Sequence, residues 1–178
     1  GFIGSNLVDE LIAKGHEVAV FDDLSTGSKE NTNEKAIFIK GDISNDENVK
    51  SLFDTFTPEV IFHVAAQINV RKSIEDPARD IEVNVKGTVN ILNHGSKAGI
   101  KHFIFSSTGG AIYGQDAPRP TPETAETIPS SPYGMDKLSA EKYIDYFARR
   151  GNFKATILRY ANVYGPRQNP KVGAGVIA

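Results

Sequence analysis

The chain contains no cysteine, which excludes a disulfide framework and a thiolate nucleophile. It also lacks an excess of either charge. Twenty basic residues against 22 acidic ones give a formal net charge of -2, and they are scattered rather than bunched. Nothing is offered to nucleic acid or to an anionic membrane surface, and neither partner is expected. No apolar run approaches the length of a membrane span, and the first residues lack a basic start followed by an apolar stretch and a cleavage site. Nothing argues for secretion, so the cytoplasm is the expected compartment. The four histidines, His16, His63, His94 and His102, lie far apart, none with a second histidine or a carboxylate at metal-ligand spacing. No metal is expected, and each histidine is read as packed or solvated rather than chemical. The 178 residues are 39% hydrophobic and 24% charged, the composition of one ordinary globular domain with a single core.

Helix-like and strand-like patterns alternate along the chain, without internal repeats. Ile3, Leu7, Val8, Leu11 and Ile12 form one helical stripe that stops at Gly15, a position suited to a left-handed cap. Strands are expected over residues 17–21, 36–39, 60–66, 102–106 and 155–160. The third of these is apolar almost throughout, as strands buried on both faces are. Helices are expected over residues 46–56, 76–97 (with Pro77 in the first turn and Gly99 beyond the end) and 132–149, with Gly151 behind the last. Strands separated by helices imply parallel pairing through right-handed crossovers, hence an α/β fold with a Rossmann-type doubly wound sheet. Ligands of such sheets bind at the carboxyl ends of the strands. Residues 109–131 are too long for a simple connection. Five of the nine prolines, Pro118, Pro120, Pro122, Pro129 and Pro132, lie in or just after that segment, which reads as a rigid binding loop.

The chain opens Gly1-Phe2-Ile3-Gly4 at the start of the first helix. Glycines at this spacing let backbone N–H groups approach a pyrophosphate at the positive end of a helix. Asp22 follows Gly4 by 18 positions and, with Asp23, ends the next strand, where a dinucleotide fold places a carboxylate on the ribose hydroxyls. Ser25, Thr26 and Gly27 extend the polar turn. A carboxylate there repels a 2′-phosphate and no arginine follows closely, so NAD is expected over NADP. The fingerprint ordinarily follows a strand and a first glycine, which would lie at the centre of the sheet. The chain is therefore expected to be a fragment lacking its first strand, with a slot between that strand's two neighbours.

Tyr133 and Lys137 stand four apart at the start of a helix and share a face. An ammonium at that spacing favours phenolate and lowers a tyrosine pKa from about 10, which makes a base. Ser106-Ser107-Thr108 ends the preceding strand and brings hydroxyls to its tip, able to hydrogen-bond a reacting oxygen.

At these residues the sequence closely resembles the extended short-chain dehydrogenase/reductase family (NAD-dependent epimerases and dehydratases), and within it the UDP-glucose 4-epimerases. The resemblance runs through Gly1 to Gly4, Asp22 to Gly27, Gly41-Asp42-Ile43, His63-Val64-Ala65-Ala66-Gln67, Asn84-Val85-Lys86-Gly87-Thr88, Ser106 to Thr108, Tyr133 to Lys137, and Leu158-Arg159-Tyr160-Ala161-Asn162-Val163-Tyr164-Gly165. It implies that Gly1, Phe2, Ile3, Gly4, Asp22, Asp23, Ser25, Thr26 and Gly27 bind NAD. It also implies that Asp42 and Ile43 contact the adenine, and that Val64, Ala65, Ala66 and Gln67 line the phosphate and ribose side. Asn84 would support the active-site helix and cofactor pocket, with Ser106 and Tyr160 also on the cofactor. Thr108, Tyr133 and Lys137 would be the catalytic set, with Asn162 on the nucleotide-sugar phosphates.

The reaction so implied interconverts UDP-galactose and UDP-glucose through a 4-keto sugar, in a homodimer whose smaller sugar-gripping domain lies beyond residue 178. A related sugar-nucleotide dehydratase, a decarboxylase, or an epimerase of UDP-uronates or N-acetylhexosamines is the enzymatic alternative. A non-catalytic NAD-binding protein on the same fold is the alternative from another class. Against a dehydratase, Gly109-Gly110 follows Thr108 where the dehydratases of the family it resembles place an Asp-Glu pair.

Overall fold

A computed structural model describes residues 1–169. Helix α1 (Phe2–Ala13) is followed by strand β1 (Ala19–Asp22), β2 (Ile37–Lys40), α2 (Asp46–Thr55) and β3 (Val60–His63). Then come α3 (Val70–Glu75), α4 (Pro77–Ile81), α5 (Gly87–Ala98), β4 (His102–Thr108), α6 (Gly109–Ile112), α7 (Pro132–Gly151) and β5 (Lys154–Tyr160). All strand pairs are parallel. They form two sheets, β1-β2 and β3-β4-β5, so the single sheet expected from the alternation is divided between β1 and β3. The architecture is the Rossmann type, with helical connections between parallel strands.

Local chemistry explains the elements and their ends. Asn45 caps α2 by accepting from the Asn48 N–H, and Ser131 caps α7 by accepting from the Gly134 N–H, each satisfying an otherwise orphaned donor. Gly15 and Gly99 follow helix ends with φ of 84° and 76°, the left-handed conformation that only glycine adopts without steric cost. At α7 the expectation fails by one residue: Gly151 belongs to the helix, and Asn152 takes the left-handed cap at φ 55°.

Two elements differ from the sequence reading. The strand expected over residues 60–66 ends at His63, and the backbone of Gln67 just beyond it pairs with a side chain, as described below. The helix expected over residues 76–97 is one rod with a defect: the turn Glu82–Lys86 between α4 and α5 is π-helical. Such bulges insert one residue and re-aim the side chains around them, and Asn84 lies inside this one. Helices α3 and α6 carry no strong period over four to six residues, and the sequence reading missed both.

The core sits between β3-β4-β5 and helices α2, α5 and α7. Phe103, Phe105, Leu92, Ala140, Ile144 and Val49 are its fully buried members. Gly87 lets α5 close on the loop after β2, since a Cβ there would stand 2.6 Å from the Ile43 side chain. No helix among the described residues is long and apolar enough to cross a membrane.

Candidate active site

In parallel sheets all strands end on the same side, and here the ends of β1, β3, β4 and β5 carry the singled-out residues. Asp22 closes β1. Its Oδ1 accepts from the Leu24 N–H at 2.7 Å, its Oδ2 stands 3.8 Å from the Gly1 nitrogen, and the Asp23 carboxylate receives the Ser25 N–H at 2.8 Å. The turn through Ser25, Thr26 and Gly27 folds back on the start of α1, where a Cβ on Gly27 would stand 3.0 Å from the Gly1 nitrogen. Helix α1 has no side-chain cap, so its first N–H groups have no side-chain acceptor. An uncapped helix start beside a strand-end carboxylate fits a dinucleotide, pyrophosphate on the helix and ribose on the acid. Val64 closes the other flank: a Cβ on Gly4 would lie 3.6 Å from its Cγ2.

Asp42 and Ile43 lie in the loop after β2, and most of their groups are engaged within the chain. The Asp42 carboxylate accepts from Ser44 and Arg79. Burial works against its charge, yet these donors hold its pKa below the ordinary value. The Ile43 side chain is in the core, and its carbonyl accepts from Asn90 at 2.9 Å.

Asn84 is fully enclosed and holds the segment after β3. Its Oδ1 accepts from the Gln67 N–H and its Nδ2 donates to the Gln67 carbonyl, both at 3.0 Å. One amide thus pairs with both backbone groups of a residue, as a neighbouring strand would, and fixes the path from Val64 through Ala65 and Ala66 to Gln67. Residues of this segment therefore take their places from a side chain in the π turn.

Thr108 ends β4 in register with Tyr160 at the end of β5. Ser106 and Thr108 are half-buried, whereas Ser107 points inward and donates to Glu141 at 2.5 Å. Tyr133 begins α7, its N–H donating to Ser73 of α3 at 3.1 Å. Gly134 lets this first turn press against α6, for a Cβ there would come within 2.5 Å of the Ala111 carbonyl oxygen. Asn162 is exposed beyond β5.

The electrostatics of the pair differ from the expectation. Burial, and then the charge of Asp80, raise the Tyr133 pKa above its ordinary value. Lys137 is buried with its Nζ 4.0 Å from the ring centre of Phe105, and burial brings its pKa down to about 7 against the pull of Glu141 and Asp80. The lysine is thus a group that titrates near neutrality rather than a fixed ammonium lowering the tyrosine. Desolvation outweighs the four-residue spacing, which by itself says nothing of depth.

Several residues of the site were missed. Arg159 grips Glu141 with its Nε to Oε1 at 3.0 Å and its Nη2 to Oε2 at 2.7 Å, and donates to the Tyr113 hydroxyl at 2.6 Å. Glu141 continues the four-residue spacing of Tyr133 and Lys137, a signal available in the sequence. Asp80 and Asp136, also buried, carried none.

Fold and site together define a Rossmann-type α/β domain with an uncapped helix start and a carboxylate at one strand end and a Tyr-Lys pair on the helix beside another. The chain belongs to the NAD dependent epimerase/dehydratase family, whose description matches residues 1–178. It is 46% identical over 178 residues to a putative UDP-glucose 4-epimerase of Methanocaldococcus jannaschii, covering 100% of this chain and 58% of the relative. It is 43% identical over 183 residues to the UDP-glucose 4-epimerase of Mycolicibacterium smegmatis, again with 100% and 58% covered. The structure is similar to the Thermotoga maritima UDP-glucose 4-epimerase with UDP-glucose, at TM-score 0.95, 50% identity, and 99% and 57% coverage. It is also similar to the Thermus thermophilus UDP-glucose 4-epimerase complex with NAD, at TM-score 0.92, 43% identity, and 96% and 55% coverage. The chain spans little more than half the length of these relatives.

Proposed function

We propose that this chain supplies the NAD-binding and catalytic portion of a UDP-glucose 4-epimerase, interconverting UDP-galactose and UDP-glucose. What supports the reading is the Tyr133–Lys137 pair on α7, packed against the strand β4 that ends in Thr108, together with Asp22 and the uncapped start of α1, in a chain 46% identical to a protein so named.

In this reading the uncapped N–H groups of α1 receive the pyrophosphate, Asp22 accepts the adenosine ribose hydroxyls and Asn84 holds Val64 to Gln67 along the cofactor. Bound NAD supplies a hydride acceptor that later returns the hydride. The Tyr133 phenolic oxygen takes the proton of the sugar 4-hydroxyl as C4 is oxidised, and gives it back after the 4-keto sugar has turned its other face. The Thr108 hydroxyl orients that oxygen. Lys137, titrating near neutrality, gains or loses a proton at little cost and balances the tyrosine. Asn162 receives the nucleotide-sugar phosphates.

A dehydratase would need a second acid and base to eliminate water. Position 109 has little room for one: a Cβ there would meet the carbonyl oxygens of Arg159 and Tyr160 at 3.2 Å each, and strand backbone yields poorly. An exposed apolar stripe of Met135, Tyr143 and Tyr146 on α7, with Ile74 and Ile81 on the neighbouring helices, supports a homodimer closing over these helices.

The test is to incubate the whole protein with UDP-galactose and follow products by NMR. UDP-glucose is the expected product. A deoxy-keto sugar, or carbon dioxide from UDP-glucuronate without UDP-glucose from UDP-galactose, would move the protein to a sister activity. Sedimentation should show a dimer, and a monomer would remove the second proposal.

A further inference from the structure

Two carboxyls lie beside the tyrosine and lysine that the reaction above does not use. Asp80 projects from α4 and Asp136 from the first turn of α7, three residues after Tyr133 and one before Lys137. They are 1% and 6% exposed. Asp80 Oδ1 accepts from Gln67 Nε2 at 2.5 Å. The Oδ2 atoms of both residues have no donor among the described residues, and the two side chains are within hydrogen-bonding reach of each other.

A buried carboxylate oxygen without a donor is costly, and two carboxylates at this range resist being charged together. One proton placed between them satisfies both, as an acid donating to a carboxylate. Other charged groups do not remove this need. On α7, Lys137 is the one cation turned inward; it is drawn to Glu141 first and to Asp80 after it, and it donates to neither Oδ2. His63 of β3 is buried and held neutral. From α3 only the Ser73 hydroxyl faces inward, Arg71, Lys72 and Glu75 being exposed. Glu82 and Lys86 are exposed too, and Arg79 is engaged by Asp42 and Glu82.

We propose that Asp80 and Asp136 share a single proton, and that the charge of this pair sets the pH at which Tyr133 becomes a base. The role of Tyr133 rests on the functional reading above; the shared proton does not. With the proton in place the pair carries one negative charge. Once the proton leaves to solvent it carries two, and the second charge disfavours phenolate at Tyr133 while favouring ammonium at Lys137. Burial, followed by the hydrogen bond and charge of Asp80, pushes Asp136 up to about 7, so the change falls within the working range. Asp136 and Asp80 are positioning residues: they touch neither sugar nor cofactor in this account and act through Tyr133.

Asp136→Asn isolates the effect. Its amide can donate to Asp80 as the shared proton does, but fixes the pair at one negative charge. Infrared difference spectra of the whole protein with NAD bound, taken between about pH 5 and about pH 9, should show the carbonyl band of a buried carboxylic acid vanishing near neutrality. That band should be absent from Asp136→Asn. Tyr133 ionisation, followed by tyrosinate absorbance with Tyr133→Phe as the blank, should move to lower pH by roughly one unit in Asp136→Asn. Asp136→Ala, which cannot donate, should melt at lower temperature than Asp136→Asn. No such band, or one unchanged in both Asp136→Asn and Asp80→Asn, overturns the shared proton. A vanished band with unmoved Tyr133 ionisation overturns the control of the base. If both spectra behave as expected and UDP-galactose is still not turned over, the functional reading fails and the pair stands.

Discussion

His63 donates from its Nε2 to Thr88 Oγ1, at 3.0 Å. The direction follows from what the hydroxyl already does: Thr88 gives its only proton to the Asn84 carbonyl at 2.7 Å, so it can only accept from the ring. The imidazole is therefore the neutral Nε2–H tautomer, stacked against Phe105 with ring centres 5.8 Å apart. The chain His63, Thr88, Asn84, Gln67 ties the end of β3 through the π turn to the loop that would face the cofactor.

Burial, and then Lys137, bring the His63 pKa down to about 3. A depressed histidine takes up its proton more readily when unfolded, so stability is undiminished above the unfolded value of about 6.5 and falls with pH between that value and about 3. His63→Gln should flatten this part of the profile, although its midpoint at neutral pH should drop. Urea unfolding midpoints of the whole protein at a series of acidic pH values measure both, and identical acid slopes in the two proteins would contradict the assignment.

The Glu141–Arg159 clasp fastens α7 to β5, and Glu141 is 5% exposed. Breaking a buried pair from one side leaves an uncompensated charge and costs about 3–5 kcal/mol. Arg159→Met should lower stability on that scale and loosen Ser107, which shares the same carboxylate. Replacing both Arg159 and Glu141 by apolar residues of similar volume should recover much of the loss. Thermal melts of the single and double variants decide this, and an additive double variant would show that the clasp carries no such energy.

Asp22 offers a carboxylate where the adenosine ribose is expected, and negative charge there excludes a 2′-phosphate. The whole protein should bind NAD more tightly than NADP, with the preference narrowed in Asp22→Ser. Titration calorimetry with both nucleotides is the measurement; equal or tighter NADP binding by the unaltered protein would remove Asp22 from this role.

Tyr133→Phe deletes one oxygen and leaves the ring. Turnover of UDP-galactose should fall by about a hundredfold or more, the usual scale for losing a general acid or base, while NAD is retained. Near-normal turnover in a variant that still holds NAD would mean that another group moves the proton.

How much of this was legible in advance depends on the range of the interaction. Composition, the alternation of strand and helix, and the glycine pair with Asp22 18 positions on are local patterns, and they were sufficient for the Rossmann-type class, while the family was legible from the resemblance carried by the ordered motifs from Gly1 to Gly165. Helix caps such as Gly15 and Gly99 were legible for the same reason: the cost of a left-handed residue is local. What the tertiary structure alone decided is depth and partnership. Lys137 is buried against Phe105, so desolvation rather than spacing governs its proton, and Tyr133 lies near Asp80, which is 53 positions earlier (133 minus 80). Asp80 and Asp136 meet because α4 packs on α7, and Asn84 reaches Gln67 because a π turn re-aims it. The cost of a buried charge is set by everything around it, and no window of sequence contains that surrounding.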